Sequence, residues 1–245
     1  MTKCCNAYEN KNMLEVTGTT LRPGGFILTD KAVQFCKFSA RDQIMDLGSG
    51  MGATVNYLYE KYGMNTVGVD PSQKLIAMGR DKYKNINLIN GRGEKLPFEN
   101  ESFQGVFAEC TLSLMDNLNV VIEEVYRVLK NYGYFVITDV YAKNPHFTDK
   151  LNTLSINSCM RGLHSLKKLR ERLIRQGFEI MLLEDCSSML KALMVKIIFS
   201  YGSMGVFWNK ASECSVDGAE FQETLKSCKP GYFIMIARKG DKGNE

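Results

Sequence analysis

The sequence predicts an α/β fold: a mostly parallel, seven-stranded sheet with crossover helices, an antiparallel strand at its edge and a helical insert before the last strand. Three observations carry this. Short apolar runs rich in Val and Ile alternate with amphipathic stretches of helical length, the pattern of parallel strands joined through helices. A strand, a glycine turn and a helix start follow one another in "QIMDLGSGMGATVNYL", residues 43–58. The alternation then breaks after residue 186, where a broad apolar stretch precedes a closing strand, "GYFIMIARK".

Taken in order, "FILTDKAVQFCKF" (26–38) predicts a helix with Thr29 or Asp30 as N-cap. "DQIMDLG" (42–48) is the first strand, and "ATVNYLYEKYG" (53–63) a helix stopped by Gly63. "NTVGVDPS" (65–72) is a strand that ends at Pro71, followed by the helix "QKLIAMGRDKY" (73–83) and the strand "INLIN" (86–90). "SFQGVFAEC" (102–110) is the fourth strand. "NLNVVIEEVYRVLKNYG" (117–133) predicts a helix with Gly133 as its stop, and "YFVITDVY" (134–141) the fifth strand. "SLKKLRERLIRQGF" (165–178) is a helix ended by Gly177, with Lys167 to Arg175 read as its solvated face, and "EIMLLEDC" (179–186) the sixth strand. Residues 187–208 predict one apolar helical stretch, and 231–239 a seventh strand whose pairing makes the edge antiparallel. One domain is expected, with an N-terminal cap (1–38), a cofactor-binding core (39–186), a helical insert (187–229) and a last strand with tail (230–245).

Composition narrows the function. A formal charge of +4 over 245 residues shows no footprint for nucleic acid. No apolar run approaches the roughly 20 residues of a membrane span, and the N-terminus has no signal-peptide core. Eight cysteines without an export signal read as reduced thiols of a cytoplasmic protein. With no CxxC pair, no metal is expected.

The glycine turn is a nucleotide-binding corner. Gly48 and Gly50 permit the turn and close ligand approach, and Asp70, 22 residues after Gly48, stands where a carboxylate accepts both hydroxyls of a ribose. Gly48, Gly50 and Ala53 also fit the dinucleotide form, which leaves a nicotinamide cofactor open at this point. Asp46, directly before the turn, weighs against it. A carboxylate there repels a pyrophosphate and suits a positively charged ligand such as S-adenosylmethionine, which carries a sulfonium and an ammonium but no phosphate.

With "GRGEKLPFENESFQGVF" (91–107) and "EEVYRVLKNYGYFVITD" (123–139), residues 40–140 resemble the class I S-adenosylmethionine-dependent methyltransferases, especially the branch containing the ubiquinone/menaquinone methyltransferases. The resemblance implies a Rossmann-like fold and S-adenosylmethionine as cofactor. It implies that Gly48, Ser49 and Gly50 line the methionine part, that Asp70 holds the ribose with Pro71 also in the cofactor site, and that the loop at Arg92 to Glu94, with Gly93 between them, covers the adenine. Asp46 and Glu109 complete the expected set. One departure is Arg92, where the family commonly has an acidic residue facing the adenine amino group. Arginine cannot accept that bond, which leaves the Gly93 N–H as the contact.

Methyl transfer needs alignment and water exclusion rather than a triad, and none is visible. His146 and His164, the only histidines, are candidate bases. Arg22, in "TLRPGGF", either meets a carboxylate of cofactor or substrate or belongs to a structural turn. Cys110, after the fourth strand, and Cys159, in "INSCMRGLHSLKKLRERLIRQGF", are similar in position to two cysteines of arsenite methyltransferases. That resemblance makes them the candidate catalytic residues, holding a soft acceptor such as trivalent arsenic; Cys4 and Cys5 are adjacent at the N-terminus. The expected partner is otherwise a small-molecule acceptor. The stripe Met189, Leu190, Leu193, Met194, Ile197, Ile198 and Tyr201 is expected to be core, a lid or a homodimer contact. A non-catalytic S-adenosylmethionine-binding module is the alternative from outside the enzymes.

Overall fold

The structure, a computed structural model, describes residues 7–154, 158–211 and 217–240. A helix α1 (Lys11–Thr17) and a helix α2 (Ile27–Cys36) lead into the alternating core: β1 (Gln43–Leu47), α3 (Ala53–Tyr62), β2 (Asn65–Asp70), α4 (Gln73–Lys82), β3 (Leu88–Asn90) and β4 (Phe103–Glu109). Then follow α5 (Leu118–Val128), β5 (Leu129–Ala142), the short α6 (Thr148–Asn152), α7 (Leu166–Gln176), β6 (Phe178–Asp185), α8 (Ser187–Tyr201), α9 (Met204–Ala211), α10 (Gly218–Cys228) and β7 (Pro230–Lys239). The seven strands form one sheet in the order β3-β2-β1-β4-β5-β7-β6. The pairs from β3 to β5 are parallel, and β7 enters antiparallel between β5 and β6. The antiparallel pairing therefore lies at the expected side of the sheet.

Burial explains the strand sequences. Four of the five residues of β1 and all but one of the seven of β4 are buried, because helices cover both faces. One face packs on α5 through Val121, Ile122 and Val125, and the other on α2 through Leu28, Ala32 and Val33. Parallel pairing of β1, β2 and β4 brings their carboxyl ends, Leu47, Asp70 and Glu109, to a common edge.

Three expectations are corrected. Helix α2 begins at Ile27 with Phe26 as N-cap, so neither Thr29 nor Asp30 caps it. Both side chains are drawn away, Thr29 to Glu109 and Asp30 to Tyr57, Tyr62 and Lys61. Helix α5 stops at Val128, not at Gly133, since Leu129 is fully buried and pairs with Phe103 as the first residue of β5. Gly133 instead serves an irregularity in the β4–β5 ladder; a Cβ there would lie 2.9 Å from the Lys130 carbonyl oxygen and 3.1 Å from that of Gln104. Residues 187–208 are two helices that meet at 82° across Gly202 and Ser203. Among the described residues no single helix is long and apolar enough to cross a membrane. Cys4 and Cys5 lie outside the described residues.

Candidate functional site

The glycine turn after β1 carries three left-handed residues, Gly48 (φ 72), Gly50 (φ 54) and Gly52 (φ 76). At Gly48 the demand is twofold, because a Cβ would also sit 1.9 Å from the Thr111 hydroxyl. The turn consumes its own N–H groups. Those of Gly48 and Ser49 donate to the Val69 carbonyl at 2.8 and 3.1 Å, that of Gly52 to the Ser49 carbonyl at 2.8 Å, and that of Gly50 to Asp70 Oδ2 at 2.8 Å. A pyrophosphate cradle needs such groups free and aimed at the ligand.

The turn floors a cavity of about 350 Å³. Asp46, Gly48, Ser49, Gly50, Asp70, Pro71, Gly93, Glu94 and Glu109 all line it, as does Cys110. Thr19 to Arg22 of the N-terminal segment close it from above, and Tyr8 and Arg161 complete its wall.

Carboxylates dominate the interior. Asp70 accepts the N–H groups of Gly50 and Ser72, both at 2.8 Å, leaving lone pairs on each oxygen toward the cavity. Burial raises its pKa against those two hydrogen bonds. Asp46 is buried, and its pKa is pushed well above the usual range by desolvation and by the neighbouring Glu109 and Asp70 charges, with Arg22 opposing. Arg22 does meet a carboxylate, but of the chain itself: it pairs with Glu109 at 2.9 Å, the two side chains 5% and 1% exposed. Its other donors reach the Gly25 carbonyl and the Thr54 and Thr29 hydroxyls, and both hydroxyls donate on to Glu109. Among the buried charged side chains of the cavity, three carboxylates thus stand with one guanidinium, a balance that favours a cationic guest. The Ser49 hydroxyl is buried without a hydrogen-bond partner. Arg92, also a lining residue, pairs with carboxylates, 3.8 Å from Glu94 and 3.5 Å from Asp116, with most of its side chain in solvent.

Cys110 adopts a left-handed backbone (φ 55) just past β4, its N–H donating to the Thr138 carbonyl at 2.6 Å. Its thiol faces Tyr232 Oη at 3.6 Å. Cys159 opens a 3-10 turn, Cys159–Gly162, and its N–H donates to Tyr8 Oη at 3.0 Å. The neighbouring Cys159 thiol and burial raise the Cys110 pKa well above its usual value. The tyrosine hydroxyl beside them is likewise pushed up, by burial and then by the Cys159 charge. Both cysteines line a small apolar cavity of about 40 Å³ beside the larger one, roofed by Leu190, Leu193, Met194 and Ile197 of α8 and by Trp208 of α9. The two cavities share Tyr8, Leu21, Arg22 and Cys110. His164 is buried against Asp139 at 3.3 Å, and His146 is exposed on a 3-10 turn; neither lines these cavities. Tyr8, Thr29, Thr54 and Thr111 escaped the sequence reading. Thr29 carried a signal that was read as a helix cap, and Tyr8 stands in a segment with no motif.

A sheet in this order, with a glycine turn after β1 and an acidic residue ending β2, defines the class I S-adenosylmethionine-dependent methyltransferase fold. Residues 45–137 match the model of the methyltransferase domain family. An arsenite methyltransferase of Halobacterium salinarum is 27% identical over 59% of this chain and 39% of its own length. A demethylmenaquinone methyltransferase of Chlorobaculum parvum is 32% identical over 42% of this chain and 43% of its own. The chain spans less than half the length of these two curated relatives. Among solved structures, phosphoethanolamine N-methyltransferase 2 of Haemonchus contortus in complex with S-adenosyl-L-methionine superposes with a TM-score of 0.72 at 18% identity, covering 94% of this chain and 56% of that one. The [4+2]-cyclase SpnF superposes with a TM-score of 0.72 at 19% identity, covering 96% and 93%. Over residues 45–137, and in its fold, the chain is similar to the class I S-adenosylmethionine-dependent methyltransferases.

Proposed function

We propose that this chain transfers the methyl group of S-adenosylmethionine to a small-molecule acceptor. The observation that carries the proposal is the cavity itself, whose buried charged side chains are Asp46, Asp70 and Glu109 with Arg22, around a turn whose N–H groups are already bonded. That environment repels a pyrophosphate and accepts a cation. S-adenosylmethionine, when bound, supplies an electrophilic methyl on a cationic sulfur. Asp70 would accept the ribose hydroxyls through its free lone pairs, and Asp46 would balance positive charge. The Ser49 hydroxyl, buried and unpartnered, offers one further polar contact. The Arg22–Glu109 network holds the N-terminal segment over the cavity and keeps water out.

A second reading names the acceptor as a soft, thiophilic centre such as trivalent arsenic. The neighbouring thiols of Cys110 and Cys159, both lining the small cavity, with Cys110 also lining the larger one, favour it. Each thiol would replace one hydroxide of arsenous acid, the thiol proton leaving with that hydroxide as water, so a raised thiol pKa is no obstacle. The arsenic lone pair would then form the bond to carbon while the methyl–sulfur bond breaks with its electrons on sulfur. No protein base is required. Thermal stabilisation against S-adenosylmethionine, its demethylated product, NAD and arsenite tests both readings by mass action. Stabilisation by NAD but not by S-adenosylmethionine refutes the first; absence of any arsenite effect in the presence of S-adenosylmethionine refutes the second.

A further inference from the structure

We propose that the α8–α9 pair is a peripheral docking surface for anionic lipid. Helix α8 carries apolar residues on every side, interrupted by Lys191 and Lys196, a composition that normally marks a buried helix, yet only its inner side is covered. Leu190 and Ile197 are buried over the small cavity, whereas Val195, Ile198 and Phe199 are 51%, 44% and 88% exposed on the opposite side. Val206 of α9 adds a further exposed apolar side chain, at 42%.

Charge chooses the occupant. Lys191 stands one turn before Val195 and two turns before Ile198 on the exposed side, whereas Lys210, one turn beyond Val206 on α9, sets its ammonium 5.3 Å from the centre of the Tyr201 ring. From Ser187 to Ala211 the chain has three lysines, Lys191, Lys196 and Lys210, and no aspartate or glutamate. Lys196 is turned to the Val16 carbonyl, and Glu15 accepts the Tyr201 hydroxyl on the side facing α1. A second copy meeting this face across a two-fold axis would set like charges together. A surface of lipid phosphates neutralises the lysines while its acyl boundary takes up Phe199 and its neighbours. The 82° bend keeps both helices at the interface, since neither is long enough to span. Docking there sets the roof of the small cavity against the bilayer. The inference stands apart from the proposed chemistry, because it rests on the outer side of the helices alone.

The test is sedimentation of the full chain with phosphatidylcholine vesicles, with and without phosphatidylglycerol. Binding is expected only to the anionic vesicles and should weaken with salt. The V195S/F199S variant should bind about tenfold or more weakly, and Lys191→Gln about fivefold more weakly. All three residues are exposed, so far-ultraviolet circular dichroism and S-adenosylmethionine binding serve as controls for folding. Absence of binding to anionic vesicles, or equal binding by V195S/F199S, overturns the proposal. So does a dimer, seen by light scattering, that V195S/F199S converts to monomer while vesicle binding is unchanged.

Discussion

Replacing Arg22 by Met should destabilise the fold severely, and the size follows from the geometry. The guanidinium and Glu109 approach to 2.9 Å with both side chains almost wholly buried. Removing one partner of such a pair leaves a buried, uncompensated charge, at a cost of about 3–5 kcal/mol. The Thr29 and Thr54 hydroxyls still reach Glu109 but carry no charge. Arg22 is also the group that opposes the upward pKa shift of Asp46, so its loss puts two carboxylates in one unbalanced site. For a domain of this size the loss corresponds to a fall in Tm of about 6–20 °C. Urea titration followed by circular dichroism measures it. The R22M/E109Q double variant should recover a large part of the loss, because it removes the orphaned charge while filling similar volume. A loss under about 1 kcal/mol for Arg22→Met, or a double variant no more stable than the single one, would refute the reasoning.

Four further outcomes are expected. Gly48→Ala should cost at least about 2 kcal/mol, from the left-handed φ of 72 and the Thr111 hydroxyl 1.9 Å from the new Cβ; a variant as stable as the parent in urea contradicts this. Asp46 has its folded pKa raised, so the empty protein loses stability as pH climbs from the ordinary carboxylate value of 3.8 toward the folded one, and a cationic ligand binds more tightly over the same climb. Asp46→Asn should remove that pH dependence and raise the stability of the empty protein at neutral pH; an unchanged profile by calorimetry counts against it. Asp70→Ala should weaken S-adenosylmethionine binding by ~1–3 kcal/mol, and an unchanged Kd removes Asp70 from the ribose. With arsenite, a thiol and S-adenosylmethionine, Cys110→Ser and Cys159→Ser should each abolish methylated arsenic; product from both variants returns the acceptor to an unspecified small molecule.

The nucleotide corner was legible because its determinants are local. The run from Asp46 to Gly50 is a strand end and a turn, and Asp70 ends the neighbouring parallel strand, so a parallel sheet alone brings them together. The same topological argument brought Cys110 and Cys159 to one wall across the loops after β4 and β5. What failed depends on partners far along the chain. Thr29 reads as a helix cap until Arg22 and Glu109 are seen to claim it. Gly133 reads as a helix stop until the β4–β5 irregularity sets a carbonyl against its Cα. The single helix expected at 187–208 breaks at Gly202, where α9 turns to pack Trp208 against Phe221 of α10, an element with no distinct pattern of its own.

The central claim is that a carboxylate-lined glycine corner selects S-adenosylmethionine over a dinucleotide. Isothermal titration calorimetry of the unmodified chain with S-adenosylmethionine and, separately, with NAD measures this directly. The account predicts saturable S-adenosylmethionine binding, weaker binding of the demethylated product, which has lost the sulfonium charge, and no NAD binding. Preferential binding of NAD, or no heat with S-adenosylmethionine, would contradict it.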